Sequence, residues 1–278
     1  MKLDKQLLLE KARELLREEA LNFVSEAEAL SPEAAGIKLF EDPIVAVASA
    51  DDPLFEKLKE EGVVGPHYVG PKEWMAEAKC VVSFFLPYSE DVKKANRPAW
   101  DGNPPPQMVH GRVQGQKAIN SWADKLTEYV RSLGFKTLIP MEDKRFEQYL
   151  TPKEEGAKCF TSNWSERHTA YICGLGTFGA AAHIITEKGA SGRLASFITD
   201  AELEIDERAY TGLYDYCTHC GACMRRCPGT AICMEASKEH TKCAGALMHV
   251  VEKYGTFICA KCQTGVPCES RIPAKIQK

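Results

Sequence analysis

No apolar run in this sequence approaches the roughly 18 residues that a membrane-spanning helix requires, so a membrane partner is not expected. The N-terminus, MKLDKQLLLEKARELLREE, is charged throughout. It has neither the apolar stretch of a secretory signal nor a twin-arginine export pattern, which leads us to expect a cytoplasmic protein. A surplus of one charge is also missing: 35 Lys and Arg stand against 39 Asp and Glu, a formal net charge of −4. That balance argues against a nucleic-acid binder working through bulk charge, while leaving a local basic groove open. Internal repeats and low-complexity tracts are absent too. Cysteine is not scarce: the chain has 12, and nine of them lie from Cys217 to Cys268. Disulfides are disfavoured in a reducing compartment, and the spacing is not that of a small secreted scaffold, so the crowding points to metal.

Cys217, Cys220, Cys223 and Cys227 follow the spacing C-x2-C-x2-C-x3-C, with Pro228 after the last. Three closely spaced thiolates on a tight loop reach three corners of one cubane, and the fourth cysteine ordinarily ligates a second cluster. A zinc site would need one group of four, usually as two separated C-x2-C pairs. The second group, Cys243, Cys259, Cys262 and Cys268, ends in the longer run C-x2-C-x5-C, with proline before its last cysteine. By analogy with crossed ligation, one [4Fe-4S] cluster takes Cys217, Cys220, Cys223 and Cys268, and the other takes Cys227, Cys243, Cys259 and Cys262. The remaining cysteines, Cys80, Cys159, Cys173 and Cys233, are read as small packing residues.

The first thirty or so residues read as one amphipathic surface helix with Leu3, Leu7, Leu8, Leu15 and Phe23 on its stripe. IVAVAS after Pro43, CVVSFFL at 80–86, FKTLIP and LASFITD at 194–200 read as strands, and Asp51-Asp52-Pro53 opens a short helix. Residues 96–114 hold four prolines and read as an ordered loop or lid, followed by a helix over 117–133 that stops at Gly134. Ser165 caps a helix over 166–173 that Gly174 ends, and another helix spans about 239–253. A boundary near residue 210 divides a domain over 1–209 from a cysteine-rich one over 210–278. About two hundred residues precede the cluster run, which suggests that a domain there consumes the electrons.

The runs SNWSERHTAYICGLGTFG, HIITEKGASGRLASFITDAELE and CTHCGACMRRCPGTAI resemble the core of the epoxyqueuosine reductases and, more distantly, the reductive dehalogenases. The local match is the pair Glu166-Arg167, then Gly174-Leu175-Gly176 and Gly179, then a strand ending Thr199-Asp200. It spans roughly residues 75–272 and is strongest after 160. The resemblance implies an α+β fold, a nitroreductase-like domain holding cobalamin followed by a two-cluster ferredoxin-like module. It implies a cytoplasmic oxidoreductase in which the clusters pass electrons to the cobalamin, with an external low-potential electron donor. Gly174, Gly176, Thr177, Gly179, Ser191, Gly192 and Arg193 are then candidate cofactor contacts; the glycines, with Gly189, permit close backbone approach to a flat ring system, and Ser191 and Arg193 suit polar side groups or a phosphate.

The family's proton-donating aspartate, a few residues ahead of the Glu-Arg pair, has no counterpart in CFTSNWSERH, and Asp143 would stand in only if its loop folds back. Glu166 and Tyr171 are the candidate catalytic groups, with His168 beside them. The six other histidines, His67, His110, His183, His219, His240 and His249, are assigned no ligand role, and no DxHxxG-type motif offers a lower cobalt ligand. The helical-repeat tail that helps such reductases hold tRNA has no counterpart here, so a small-molecule or modified-nucleoside substrate is expected ahead of tRNA. Two other readings stay open: a flavin-dependent reductase, because the nitroreductase-like shell often houses flavin, and a non-catalytic electron-transfer protein serving a corrinoid or redox partner. The absence of a flavin fingerprint leans toward cobalamin.

Overall fold

In the computed structural model, which describes residues 2–149, 160–234 and 237–274, the runs IVAVAS and CVVSFFLP form neighbouring strands, β1 (Ile44–Ser49) and β2 (Cys80–Pro87). On the other side of β2 lies β8 (Gly192–Thr199), and β3 (Thr137–Leu138) pairs with the far end of β8. The sheet order is β1-β2-β8-β3 and every pairing is antiparallel. β2 is buried along its whole length because helices cover both faces of the sheet, which is why its sequence is continuously apolar instead of alternating.

The two faces read out with the strand period of two. Val82, Phe84 and Leu86 of β2, with Ala195 and Phe197 of β8, face α1 (Lys5–Glu18) and the long α5 (Pro106–Ser132), packing on Leu8, Leu16, Trp122 and Leu126. Val81 and Phe85 face the opposite layer, built from α2 (Pro53–Lys57), α3 (Pro71–Trp74) and α6 (Glu166–Cys173), where Phe55, Trp164, Ala170 and Cys173 are buried. α4 (Glu90–Asn96) follows β2, with the Ser89 hydroxyl accepting from the Val92 amide at 3.3 Å as its cap. Two small hairpins complete this half: β4 (Gln148–Tyr149) with β5 (Thr161–Ser162), and β6 (Gly176–Phe178) with β7 (Ile184–Thr186). The cysteine-rich segment carries α7 (Ala222–Arg225), the pair β9 (Ile232–Cys233) and β10 (Ser237–Lys238), α8 (His240–Gly245) and α9 (Met248–Tyr254).

Three expected boundaries move. The first helix ends at Glu18, and its buried stripe is Leu8, Ala12 and Leu16, while Leu7 and Phe23 stand 55% and 42% exposed. The chain turns there because the Asn22 side chain bonds the carbonyls of Leu16 and Phe40 and the Phe40 amide. The supposed loop over 96–114 becomes helical at Pro106, since proline at the first helical position loses no intrahelical hydrogen bond. The single helix expected over 239–253 is two, broken at 246–247. Cys80 and Cys173 are buried as expected, Cys233 is half-buried, and Cys159 lies outside the described residues.

The cysteine-rich segment is packed onto the rest by shared core and by backbone hydrogen bonds. Leu247, Val250 and Ile258 join the core between the sheet and α5. The amides of Ala190 and Ser191, just ahead of β8, donate to the carbonyls of Cys268 and Glu269 at 2.8 and 3.0 Å. At the end of α4, the buried Asn96 amide donates to the Cys259 carbonyl at 2.8 Å, and Lys261 reaches back to the carbonyls of Asn96 and Pro98.

Candidate functional site

The eight cysteines separate into two sets in space. Cys217, Cys220, Cys223 and Cys268 line one narrow cavity, together with His183 and His219. Cys227, Cys243, Cys259 and Cys262 line another, of about 260 Å³. Burial pushes the thiols up, Cys268 and Cys259 to about 12 and Cys223 to about 11. The thiols that act on them fall in the same sets: Cys223, Cys217 and Cys220 on Cys268, and Cys262 and Cys243 on Cys259. Cys262 also acts on Cys223, so the two sets are neighbours. Among the described residues no group of three or more Cys, His, Asp or Glu converges as the ligands of a single ion would. Thiolates at the corners of a cubane stand further apart than the ligands of one ion, so the donor chemistry and the one-cavity-per-quartet arrangement fit a cluster better than zinc.

Positive charge accompanies the second set. Lys238 and Arg167 line its cavity, and burial is the largest single influence on each. Cys262 and Cys243 together outweigh it and raise Lys238, whereas Arg167, also drawn toward its charged form by Cys262, stays below its usual range. Arg167 donates one guanidinium N–H to the Ala182 carbonyl at 2.6 Å. His183 lines both cysteine cavities, with Nε2 3.8 Å from the Cys268 sulfur; burial lowers its pKa to about 4, leaving the ring neutral.

The second cysteine cavity shares the lining residues Arg167, His183, Gly192, Arg193 and Gln263 with an adjacent cleft of about 350 Å³ that reaches Glu166. A further lobe of about 370 Å³ extends between α5 and β8 to Glu142 and Ser196. Glu166 opens α6 at the cleft wall. Its Oε1 accepts from the Ser196 hydroxyl at 2.9 Å, and that hydroxyl accepts from the Trp164 indole at 3.0 Å. Burial raises its pKa to about 7, against the opposing pull of Ser196, Trp164 and the Arg193 charge. Its Oε2 is buried without a partner in hydrogen-bonding geometry.

This carboxyl gives a pH signature. Its folded pKa lies above the unfolded value, so the folded state binds the extra proton between about pH 4.5 and 7, and stability falls as pH rises through that window. Urea unfolding of the wild type should lose on the order of 1–3 kcal/mol between pH 5 and 8. Glu166→Gln should flatten that decline; parallel curves for the two proteins would refute the assignment.

The other expected site residues scatter. Gly192 and Arg193 line the cleft. Ser191 is buried beside them with an unpartnered hydroxyl. Gly174 is the left-handed cap of α6, at φ +101°. Gly176 is pressed against the β7 backbone, where a Cβ would fall 2.0 Å from the Ile185 carbonyl oxygen, and Gly179 is packed on His183 in the same hairpin. Thr177 accepts from the Tyr216 amide at 2.9 Å, fastening the chain just ahead of Cys217. Tyr171 faces away from the cleft toward Tyr210 and Phe178. His168 bonds Ser165 through Nδ1 at 2.7 Å.

Asp143 is tied to Arg145, which holds its carboxyl down at about 2 and turns it from the role of proton donor. Its neighbour Glu142 lines the cleft instead, raised to about 7 by burial and by Asp124. Sequence reading missed Glu142, Ser196, Lys238 and the polar stripe Arg112, Gln116 and Asn120. That stripe was visible in principle, since i, i+4, i+8 spacing sets three polar residues on one face of α5.

No protein-family profile matches the chain, and no curated protein matches it. Solved structures do. An epoxyqueuosine reductase crystallised with an epoxyqueuosine-modified tRNA-Tyr stem loop superposes with a TM-score of 0.54 at 18% identity, covering 95% of this chain and 65% of that one. Epoxyqueuosine reductase from Streptococcus thermophilus gives 0.54 at 16% identity, over 98% of this chain and 69% of its own. A catabolic reductive dehalogenase in complex with 3-bromo-4-hydroxybenzoic acid gives 0.51 at 15% identity, over 96% and 37%. This chain thus spans less than two thirds of the first and little more than a third of the dehalogenase. At these identities the likeness is one of fold: the chain has the mixed α/β fold seen in epoxyqueuosine reductases and reductive dehalogenases.

Proposed function

We propose that the protein is an iron–sulfur oxidoreductase that holds two [4Fe-4S] clusters and a corrinoid and reduces a small-molecule or modified-nucleoside substrate. The observation that carries this reading is the adjacency of the parts: each cysteine quartet lines its own cavity, and the cavity of the second quartet shares Arg167, His183, Gly192, Arg193 and Gln263 with the cleft that holds Glu166. Cys217, Cys220, Cys223 and Cys268 would hold one cluster, and Cys227, Cys243, Cys259 and Cys262 the other. Bound, the clusters would supply electrons singly and the corrinoid a strongly reducing metal centre.

The chain's own residues do the remaining work. Lys238 and Arg167 offset the negative charge of the second quartet. Gly192 lines the cleft and lets β8 lie close on β2, where a Cβ would fall 2.4 Å from the Leu86 carbonyl oxygen. Glu166, raised to about 7 and so still partly protonated at neutral pH, is oriented through Ser196 and donates its proton to the substrate. The buried polar atoms without partners, Arg193 Nε and Glu166 Oε2, are the groups that a bound cofactor or substrate would satisfy. A separate low-potential donor delivers the electrons. The tRNA stem loop and the halogenated hydroxybenzoate belong to the neighbours; here they mark two substrate classes to assay, a modified nucleoside and an aromatic acid.

The test is anaerobic purification with iron and sulfide counts, then electron paramagnetic resonance after adding cob(II)alamin or flavin. Cluster signals and a shift of added cob(II)alamin to its base-off form are the expected result. Cluster signals with neither cofactor bound would replace this reading with that of an electron carrier.

A further inference from the structure

Four cations line the cavity of the second cysteine quartet, and only two of them face the thiols. Arg167 and Lys238 are drawn toward their charged forms by Cys262. Arg112, from α5, and Arg193, from β8, meet across the lobe between that helix and that strand. They are close enough that the charge of Arg193 is the largest influence lowering the Arg112 pKa, with burial second, to about 10. Neither forms an ion pair with a carboxylate among the described residues. Arg112 makes no side-chain hydrogen bond there. Arg193 gives one N–H to the Gln116 amide oxygen and leaves Nε buried and unpartnered. The carboxyls in the same lobe, Glu142 and Glu166, are each held up near 7 and carry only part of a charge at neutral pH, Glu166 being the one felt by Arg193. Two guanidinium groups brought together away from water cost folding energy unless an anion joins them.

We propose that Arg112 and Arg193 form an oxyanion subsite that takes a phosphate, phosphodiester or carboxylate group between their N–H forks. Planar guanidinium groups bind such oxyanions through paired, charge-assisted hydrogen bonds, and a partly enclosed site strengthens them. The anion has two possible sources, the phosphodiester tail of a nucleotide-bearing cofactor or an acidic group on the substrate. The subsite stands on the two side chains; only the assignment of its source rests on the corrinoid reading.

Calorimetric titration of the anaerobically purified full chain with inorganic phosphate at low ionic strength tests it. Saturable binding is expected, weakened roughly tenfold or more in Arg112→Gln and in Arg193→Gln and unchanged in Arg131→Gln, at the far end of α5. Wild-type affinity in both cleft variants, or no saturable binding by wild type, overturns the proposal. Should either variant fail to fold, phosphate must slow phenylglyoxal modification of Arg112 and Arg193 in the wild type, mapped by mass spectrometry; no protection overturns it equally. Cobalamin and cobinamide, which lacks the phosphodiester tail, then separate the sources. Variants that weaken cobalamin but not cobinamide assign the anion to the cofactor, and variants that bind both normally while losing phosphate assign it to the substrate. Equal weakening of both corrinoids would mean a disturbed cleft and would overturn the anion contact. Phosphate titration needs no corrinoid, so failure of one idea leaves the other standing.

Discussion

Cys262→Ala is expected to lower bound iron from about eight to about four atoms per chain, and Cys268→Ala to do the same at the other cluster, with almost none left in the double variant. The expectation follows from the two cavities. Cys262 is a half-buried member of the set with Cys227, Cys243 and Cys259, and Cys268 belongs with Cys217, Cys220 and Cys223. Removing one corner thiolate leaves an iron without its anionic ligand, and the neutral His183 ring beside Cys268 carries no charge to replace it. Loading should also depend on pH, because burial holds thiols such as Cys259 and Cys268 up near 12 and each must give up a proton to bind metal. Reconstitution with ferrous iron and sulfide should therefore release protons and slow as pH falls. Unchanged iron in Cys268→Ala would sink the assignment of that residue, which depends on a cysteine loop longer than usual.

Gly189→Ala is expected to destabilise the protein on the order of 2–5 kcal/mol, well beyond an ordinary surface substitution. Gly189 turns the chain from β7 toward β8 at φ +82°, in the left-handed region, and the last cysteine loop is laid against it. A Cβ there would fall 2.4 Å from the Glu269 carbonyl oxygen and the Ser270 amide nitrogen and 2.5 Å from that of Arg271. All three are backbone atoms, so no side chain can swing aside. The loop carries Cys268, whose carbonyl accepts from Ala190. Iron from the first quartet should fall together with the urea midpoint, a pairing that Cys268→Ala alone does not produce. A variant with wild-type stability and full iron would show that the loop is not seated there.

Both substitutions show how far sequence reasoning reaches. The strands β1, β2 and β8, the helix over 166–173 and its glycine stop were legible because each is a local pattern, apolar runs and a residue free to take positive φ. Ser165 stands at the helix start as expected, but its hydroxyl bonds His168 and makes no capping bond. Element limits were less so. Nothing local says that the polar Asn22 will bond three backbone groups and end a helix pattern early, or that three consecutive prolines will open a 27-residue helix. Gly111, within the stretch read as a loop, and Gly115 sit inside that helix, where the rings of Tyr88 and Phe40 leave no room for a side chain.

By itself the sequence determined the donor set: eight cysteines at cluster spacing and a Glu-Arg pair ahead of a glycine turn are fixed by covalent order, and residues three or four apart on a tight loop have few ways to be arranged. The tertiary structure alone decided which groups share a cavity. Arg112 and Arg193 lie 81 residues apart in the chain, and the bond from Arg193 to Gln116 spans 77. Like charges do not approach of their own accord; they are held there because α5 packs on β8 through buried apolar faces. The same packing raises Glu166 instead of Asp143, since desolvation acts on the carboxyl that the fold buries, whatever its place in a motif.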